Sequence, residues 1–220
     1  MPTGFMSLYP GLDGYVLRLA ESTWADAHDA TTGESASSSA THISNGLRSS
    51  YSAVGRGAGY YVGRCFFSFN TSGIFNTPES AQLKFKGYVN HAADVIYCVK
   101  ATSDIESAIT TADFDSIEGW DHDADNSSNV VEYASNLTAW IVGDNTFTLN
   151  GQALADITGR DRFNVCLLTN VDLLNTGDSF PPPSATHYSG LYFVNHGTIG
   201  NRPVLKISQQ DDAVFFGANF

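Results

Sequence analysis

The acidic segment at residues 121–132 holds the side chains of this sequence that are best spaced to bind a metal ion. It reads Asp-His-Asp-Ala-Asp-Asn-Ser-Ser-Asn-Val-Val-Glu. Acidic residues at its first, third, fifth and twelfth places match the ligand spacing of a calcium loop. The candidate Ca²⁺ ligands are Asp121, Asp123, Asp125 and Glu132. The sixth place holds Asn126 instead of glycine, and no convincing helix follows, so a solvated acidic loop is the alternative.

No set of side chains in the sequence has the spacing of a catalytic site. The six histidines are scattered, without the His-x-x-x-His spacing of a zinc site. No Gly-x-Ser-x-Gly segment supplies a nucleophile. A carboxylate pair for glycoside hydrolysis stays open, because the separation of two carboxylates is a spatial quantity. We therefore predict a non-enzymatic protein with no catalytic residues and no required cofactor.

Aromatic side chains suggest a second kind of site, because a ring face can stack on the apolar face of a sugar. The candidate residues for such a sugar platform are Trp24, Trp120, Trp140 and Tyr188. The alternative for each of them is a place in the hydrophobic core, since large aromatic side chains mostly lie in the interior of a protein.

The charge balance limits the partners of this chain. Its 220 residues contain 11 Lys and Arg against 23 Asp and Glu, which gives a formal net charge of -12. Binding to a phosphate backbone needs clustered cations, and the sequence clusters none, so we do not expect nucleic acid as a partner. No apolar run approaches the ~20 residues of a membrane span. The first residues lack the basic and apolar regions of a signal peptide, so we expect no secretory signal.

The segment Gly59–Phe69 is the strongest strand signal among the elements that must position these residues. It is rich in aromatic and β-branched side chains, and Asn-Thr-Ser-Gly follows it. One face of this strand is apolar and the other is mixed: Cys65, Phe67 and Phe69 on the first, Arg64, Phe66 and Ser68 on the second. Such a strand indicates a sheet that a second sheet covers on one side. The three cysteines lie in apolar runs and are predicted to be buried free thiols.

Further short strands recur along the chain at spacings near ten residues, among them residues 13–19, 81–88, 94–100, 146–149, 162–169, 188–194 and 203–207. Trp24–His28 is interpreted as an extension of the first strand. Capping-box spacing of Ser103 and Glu106 predicts one short helix over residues 104–112, and residues 153–157 fit a helical turn or a short strand. We predict an all-β protein, a single jelly-roll-like antiparallel β-sandwich over residues 13–208 with one short helix.

Two apolar segments flank this predicted domain. They are an N-terminal arm at residues 1–12 and a Phe-rich tail at residues 209–220. Leaving apolar area in water costs roughly 25 cal/mol per Å², so each segment packs on its own domain or docks on a partner, such as another copy in a homo-oligomer. The candidate docking residues are Phe5, Tyr9, Phe215, Phe216 and Phe220.

Several short motifs occur in a fixed order between residues 13 and 207. They are Arg-x-x-x-x-Phe at 64–69, Ser-Ala-Gln-Leu-Lys-Phe at 80–85, Phe-Thr-Leu-Asn at 147–150, Phe-Asn-Val at 163–165, and Gly197-Thr198 ahead of Arg-Pro-Val-Leu-Lys-Ile at 202–207. This order resembles the DNRLRE-type β-sandwich family, which is related to the disaggregatase repeat and to carbohydrate-binding modules. The motifs are mainly structural, so the resemblance implies a fold more than a function.

Two C-terminal segments carry a further resemblance. Residues 188–193, Tyr-Ser-Gly-Leu-Tyr-Phe, and residues 197–203 are similar to segments of jelly-roll proteins on the surface of bacteriophage particles. The resemblance implies a structural protein of the virion surface, such as a capsid decoration or fibre protein, that docks through its termini on other virion proteins or on copies of itself. A carbohydrate-binding module is the alternative, and a phage fibre could be both.

Overall fold

The computed structural model of the chain describes residues 4–53, 57–91, 95–102, 105, 107–179 and 187–209. Its strands are β1 (Gly4–Leu8), β2 (Leu12–Glu21), β3 (Ser35–Ser37), β4 (His42–Ser52), β5 (Gly59–Asn70), β6 (Ser80–Asn90), β7 (Ile96–Lys100), β8 (Gly143–Thr148), β9 (Arg162–Thr169), β10 (Tyr188–Tyr192) and β11 (Val204–Gln209). Among these residues the α-helices are α1 (Trp24–His28), α2 (Gly151–Gly159) and α3 (Asn170–Leu173). None of them has the length and apolar character needed to cross a membrane.

The strands pair in antiparallel fashion in one branched sheet, which confirms the predicted all-β antiparallel fold. The strand order is β1-β11-β6-β10-β4-β5-β2-β3, with β8 beside β6, and with β9 and then β7 beside β5. β5 pairs with β2 along one edge, while its other edge pairs with β4 at Gly59–Gly63 and with β9 at Cys65–Asn70. The jelly-roll arrangement of the strands stays a prediction.

The main hydrophobic core lies between the β5 and β6 parts of this sheet. The ring centroids of Phe67 on β5 and Phe85 on β6 are 4.8 Å apart, although these two strands do not pair. The alternation in β6 is as predicted: Leu83 and Phe85 are buried in this core, and Gln82, Lys84 and Lys86, which alternate with them, face outward and are partly exposed. Because one face of β6 meets water, its sequence carries a clear period of two.

The mixed face of β5 is also buried, which the sequence did not predict. Arg64 and Phe66 are fully buried, and Ser68 is nearly so. A second hydrophobic core covers this face with residues of α1, α3 and residues 105 and 107–130, among them Trp24, Ile105, Phe114, Ile117 and Leu173. The part of the sheet around β5 is therefore covered on both sides. The three cysteines are buried free thiols, as predicted.

Helices α1 and α3 lie where the sequence predicted no helix. Trp24–His28 was predicted to extend the first strand, but it forms helix α1. Thr23 is the N-cap of this helix and stabilises it by accepting a hydrogen bond from the Asp26 backbone amide. The open choice at residues 153–157 is settled by α2, whose N-cap is Asn150. Ser103 and Glu106 lie outside the described residues. In the described part of residues 104–112 only a 3₁₀ turn begins, at Thr111–Asp113.

Candidate binding surface

The acidic segment forms a loop whose side chains bond to its own backbone. The Asn126 side chain is buried, accepts a hydrogen bond from the Asp121 amide at 2.7 Å and donates to the carbonyls of Asp121 and Ala124. Asp125 caps a 3₁₀ turn, accepting from the Ser127 amide at 2.8 Å. The residue that replaces the glycine of a calcium loop thus holds the loop closed.

The predicted calcium ligands have different surroundings. Asp121, Asp123 and Asp125 are exposed. Glu132 is half-buried, and its backbone forms an isolated antiparallel β-bridge with Val99 of β7. Hydrogen bonds from Ser127 lower the pKa of Asp125, while burial raises the pKa of Glu132. Nowhere in the described part of the chain do three or more His, Cys, Asp or Glu side chains form a group that could hold a metal ion. Calcium binding stays a prediction.

Two of the three tryptophans predicted for a sugar platform have no accessible ring face. Trp24 is 1% exposed and Trp140 is fully buried, and their indole nitrogens donate to Asn175 and to the Gly190 carbonyl. Trp120 is half-buried, with its ring 4.0 Å from the Arg64 guanidinium. Trp24 and Trp140 are therefore core residues, the alternative that was open for each of them.

A buried polar cluster is built around Arg64 and Asp172. Arg64 donates to the Asp172 carboxylate from Nε at 2.8 Å and from one terminal nitrogen at 2.9 Å, and both side chains are fully buried. The other terminal nitrogen donates to the Phe114 carbonyl at 2.7 Å. Buried His28 donates from Nε2 to the Asp172 carbonyl at 2.9 Å. This cluster fixes α1, α3 and the loop around Phe114 onto β5.

A second ionic cluster borders a cavity of about 300 Å³ near the start of β9. Lys100 lies 2.9 Å from Glu118 and 3.1 Å from Asp156, and the Tyr133 hydroxyl donates to Asp156 at 2.6 Å. Burial would raise the pKa of Asp156, but the hydrogen bonds from Tyr133 and Lys100 outweigh it and lower that pKa. Asp156 therefore stays ionised as an acceptor. A glycosidase acid needs the opposite shift, so Asp156 is not suited to the role of general acid.

Four rings on the outer side of the sheet form what we call the aromatic surface: His42, Tyr88, Tyr192 and His196. The ring centroids of His42 and Tyr88 are 4.4 Å apart, those of Tyr88 and Tyr192 are 5.2 Å apart, and those of Tyr192 and His196 are 4.6 Å apart. His42 and Tyr88 are exposed, and the other two are half-buried. This surface is therefore partly open to solvent.

The strand register explains why these rings meet. Tyr192 of β10 pairs directly with His42 of β4, and neighbouring residues opposite each other point to the same face of a sheet. Tyr88 lies on β6, which pairs with the other edge of β10. The one signal in the sequence was Tyr88, an aromatic residue that continues the outward-facing positions of Lys84 and Lys86 on β6.

Tyr188, also predicted for the sugar platform, belongs to a second ring group on the same strand, β10. It is half-buried, and its ring centroid lies 4.4 Å from that of His91. It pairs with Arg48 of β4, whose guanidinium lies 3.7 Å from the centre of the Tyr61 ring. Two ring groups thus follow the β10 strand.

The N-terminal arm forms strand β1 at the edge of the sheet. Phe5 is 73% exposed and Tyr9 is 43% exposed. Both predicted docking residues are therefore accessible, whereas Phe215, Phe216 and Phe220 lie outside the described residues.

No family model and no curated protein matches this chain.

Proposed function

We propose that the protein is a non-enzymatic binding protein that recognises a polysaccharide through the aromatic surface. The observation that carries this proposal is the contact of four rings, two exposed and two half-buried, from β4, β6, β10 and the turn after β10, on the outer side of the sheet. Tyr and His rings present an apolar face and a polar tip, a combination that suits the apolar and hydroxyl-bearing sides of a sugar.

The position of the second ring group favours a chain of sugars over a single sugar. Tyr188 and Tyr192 are four residues apart on β10, which corresponds to about 13 Å along an extended strand. A small-molecule site is normally a concave pocket that buries most of its ligand. An open sheet face with rings at intervals instead fits an extended ligand with repeating rings.

A glycan array with the full chain tests this proposal, with the Tyr88→Ala and Tyr192→Ala variants beside the wild type. Loss of one stacking ring should weaken binding about tenfold, since a tenfold change corresponds to about 1.4 kcal/mol. Phe75→Ala is the matched control, because Phe75 is 84% exposed and is no member of the aromatic surface. An array without any signal, or variants that bind like the wild type, would contradict the proposal.

A second candidate function is a structural role on the surface of a virus particle, with docking of one copy on another through β1. β1 is the last strand of the sheet and, among the described strands, pairs only with β11. Its Phe5 and Met6 are exposed. An apolar edge strand is a ready site for association. The similarity of residues 188–193 and 197–203 to phage surface proteins supports this role, which is compatible with polysaccharide binding.

Light scattering on the purified chain tests the docking of copies. We expect an oligomer for the wild type and a smaller native mass for Phe5→Ser, because the variant removes the most exposed apolar side chain of β1. Phe75→Ser, equally polar but outside β1, should keep the mass of the wild type. A wild type that is monomeric at every concentration would overturn this candidate.

A further inference from the structure

A basic groove lies on the outer side of β6 and β11, in a chain whose net charge is -12. The groove has a volume of about 350 Å³ and is lined by Lys84, Lys86, Arg202 and Lys206, with Asp144 as its one acidic residue. Four of the 11 Lys and Arg residues of the sequence thus meet at one place. This cluster is not evident from the sequence, because its members come from two separate strands and a turn.

The strand register brings these cations together. Lys84 and Lys86 occupy alternate, outward positions of β6, and Lys206 occupies an outward position of the neighbouring strand β11. Lys86 forms an ion pair with Asp144 at 2.9 Å, and the Asp144 side chain is 79% exposed. Lys84, Lys206 and Arg202 form no ion pair with any residue that the structure describes. Most of the positive charge of the groove therefore remains available to an anion.

The groove and the aromatic surface are parts of one face. Tyr88 follows Lys86 by two residues on the outer side of β6. Arg202 donates from Nε to the His196 carbonyl at 2.8 Å, and the His196 ring contacts Tyr192. Tyr9, 43% exposed, adds a further ring to the wall of the groove. An extended ligand can therefore contact rings and cations at the same time.

We infer that the ligand of this face is an anionic polysaccharide whose carboxylate or sulfate groups bind in the basic groove. This inference rests on the polysaccharide-binding function proposed above. Lysine ammonium groups act as mobile point charges, which suits single acidic groups spaced along a sugar chain. Because the protein as a whole is acidic, it repels polyanions over long distances, and an anionic ligand binds only where cations cluster locally.

Binding assays on the full chain test this inference with four polysaccharides. The carboxylated probe is polygalacturonate and its neutral match is the methyl ester of the same polymer; the sulfated probe is dextran sulfate and its neutral match is dextran. We expect the wild type to bind one acidic probe about tenfold or more tightly than its neutral match, with affinity that falls as salt is added. Preference for one acidic probe identifies carboxylate or sulfate as the charged group.

Variants of the groove then separate charge recognition from ring stacking. The double substitution Lys84→Gln and Lys206→Gln should weaken binding of the acidic probe about tenfold, at roughly 0.7 kcal/mol for each exposed charge, and leave neutral probes unaffected. Arg160→Gln, an exposed cation outside the groove, should have no effect. Tyr88→Ala should weaken binding of acidic and neutral probes alike.

The possible outcomes distinguish this inference from the function on which it rests. Equal binding of acidic and neutral probes, lost in Tyr88→Ala, would overturn the anionic ligand and keep polysaccharide binding. Failure to bind any probe, together with an empty glycan array, would overturn both. Tighter binding of a single-stranded oligonucleotide than of either acidic polysaccharide would also overturn the inference, since rings and cations together can bind single-stranded nucleic acid.

Discussion

At the scale of single residues, Asp13 is the acid whose surroundings most oppose its charge. It is 1% exposed at the start of β2, and one oxygen of its carboxylate accepts from the Val194 amide at 2.7 Å. Burial raises the pKa of Asp13 from 3.8 to about 7, and the hydrogen bond from Val194 offsets only part of this shift. In the native protein Asp13 therefore keeps its proton at pH values where the unfolded chain has lost it.

This difference predicts that the fold loses stability as pH rises from about 4 to about 7. The native state binds more protons than the unfolded state in that window, so the free energy of unfolding falls with pH. Between about pH 5 and about pH 8 the wild type should lose roughly 2 to 3 kcal/mol relative to Asp13→Asn. Urea unfolding of both proteins at the two pH values measures the difference. If both lose the same stability, the prediction is wrong.

Arg64 and Asp172 allow a second prediction at the same scale. Arg64→Met should cost about 3–5 kcal/mol of unfolding free energy, because it leaves the fully buried Asp172 carboxylate without its cation. In the double variant Arg64→Met and Asp172→Leu the isolated charge is gone, so its cost should be well below the sum of the two single costs. A double-mutant cycle by urea unfolding measures this coupling, and additive costs would contradict it.

At the scale of elements, the sequence was informative where one face of a strand meets water. Leu83 and Phe85 of β6 were assigned correctly for that reason. The burial of Arg64 was missed because its partners, Phe114 and Asp172, are 50 and 108 residues away in sequence. Helix α1 has five residues, too few for a periodic signal. Only Thr23 and Asp26, three residues apart, gave a local sign of its N-terminus.

The aromatic surface was missed for a related reason. The tryptophans are the predicted members of a sugar platform, but Trp24 and Trp140 lie in the interior, where their large apolar area is removed from water. His42 and Tyr192 become neighbours only through the pairing of β4 with β10. Their sequence separation gives no indication of that pairing.

A substitution at Gly190 of β10 tests whether the aromatic surface depends on the close spacing of β10 and β4. It lies between the two outward tyrosines of the strand, and a Cβ at this position would lie 2.2 Å from the Ile43 carbonyl oxygen on β4. Gly190→Ala should therefore push β10 away from β4, destabilise the fold by about 1–3 kcal/mol and weaken glycan binding. Gly73→Ala is the control, because nothing lies within 4 Å of its added methyl group. Equal stability of the two variants would contradict this account.

At the scale of the whole molecule, the net charge of -12 and the basic groove respond to salt in opposite ways. Repulsion among the excess carboxylates destabilises a compact state, and added salt screens it. Salt screens the attraction between the groove and an anionic ligand as well. The same range of sodium chloride should therefore raise the melting temperature of the protein and lower its affinity for an acidic polysaccharide.

Thermal unfolding and binding are measured over one series of sodium chloride concentrations. The prediction is that the melting temperature rises and the affinity falls along this series. For the binding series, sucrose at matched osmolality is the control, because it is uncharged and does not screen the attraction between the groove and its ligand. The double variant Lys84→Gln and Lys206→Gln has a net charge that is more negative by two. Its melting temperature should therefore rise more steeply with salt than that of the wild type. Its affinity for an acidic polysaccharide should depend less on salt. A melting temperature that falls with salt in both proteins would show that local ion pairs such as Lys100–Asp156, and not overall repulsion, dominate the electrostatic part of stability.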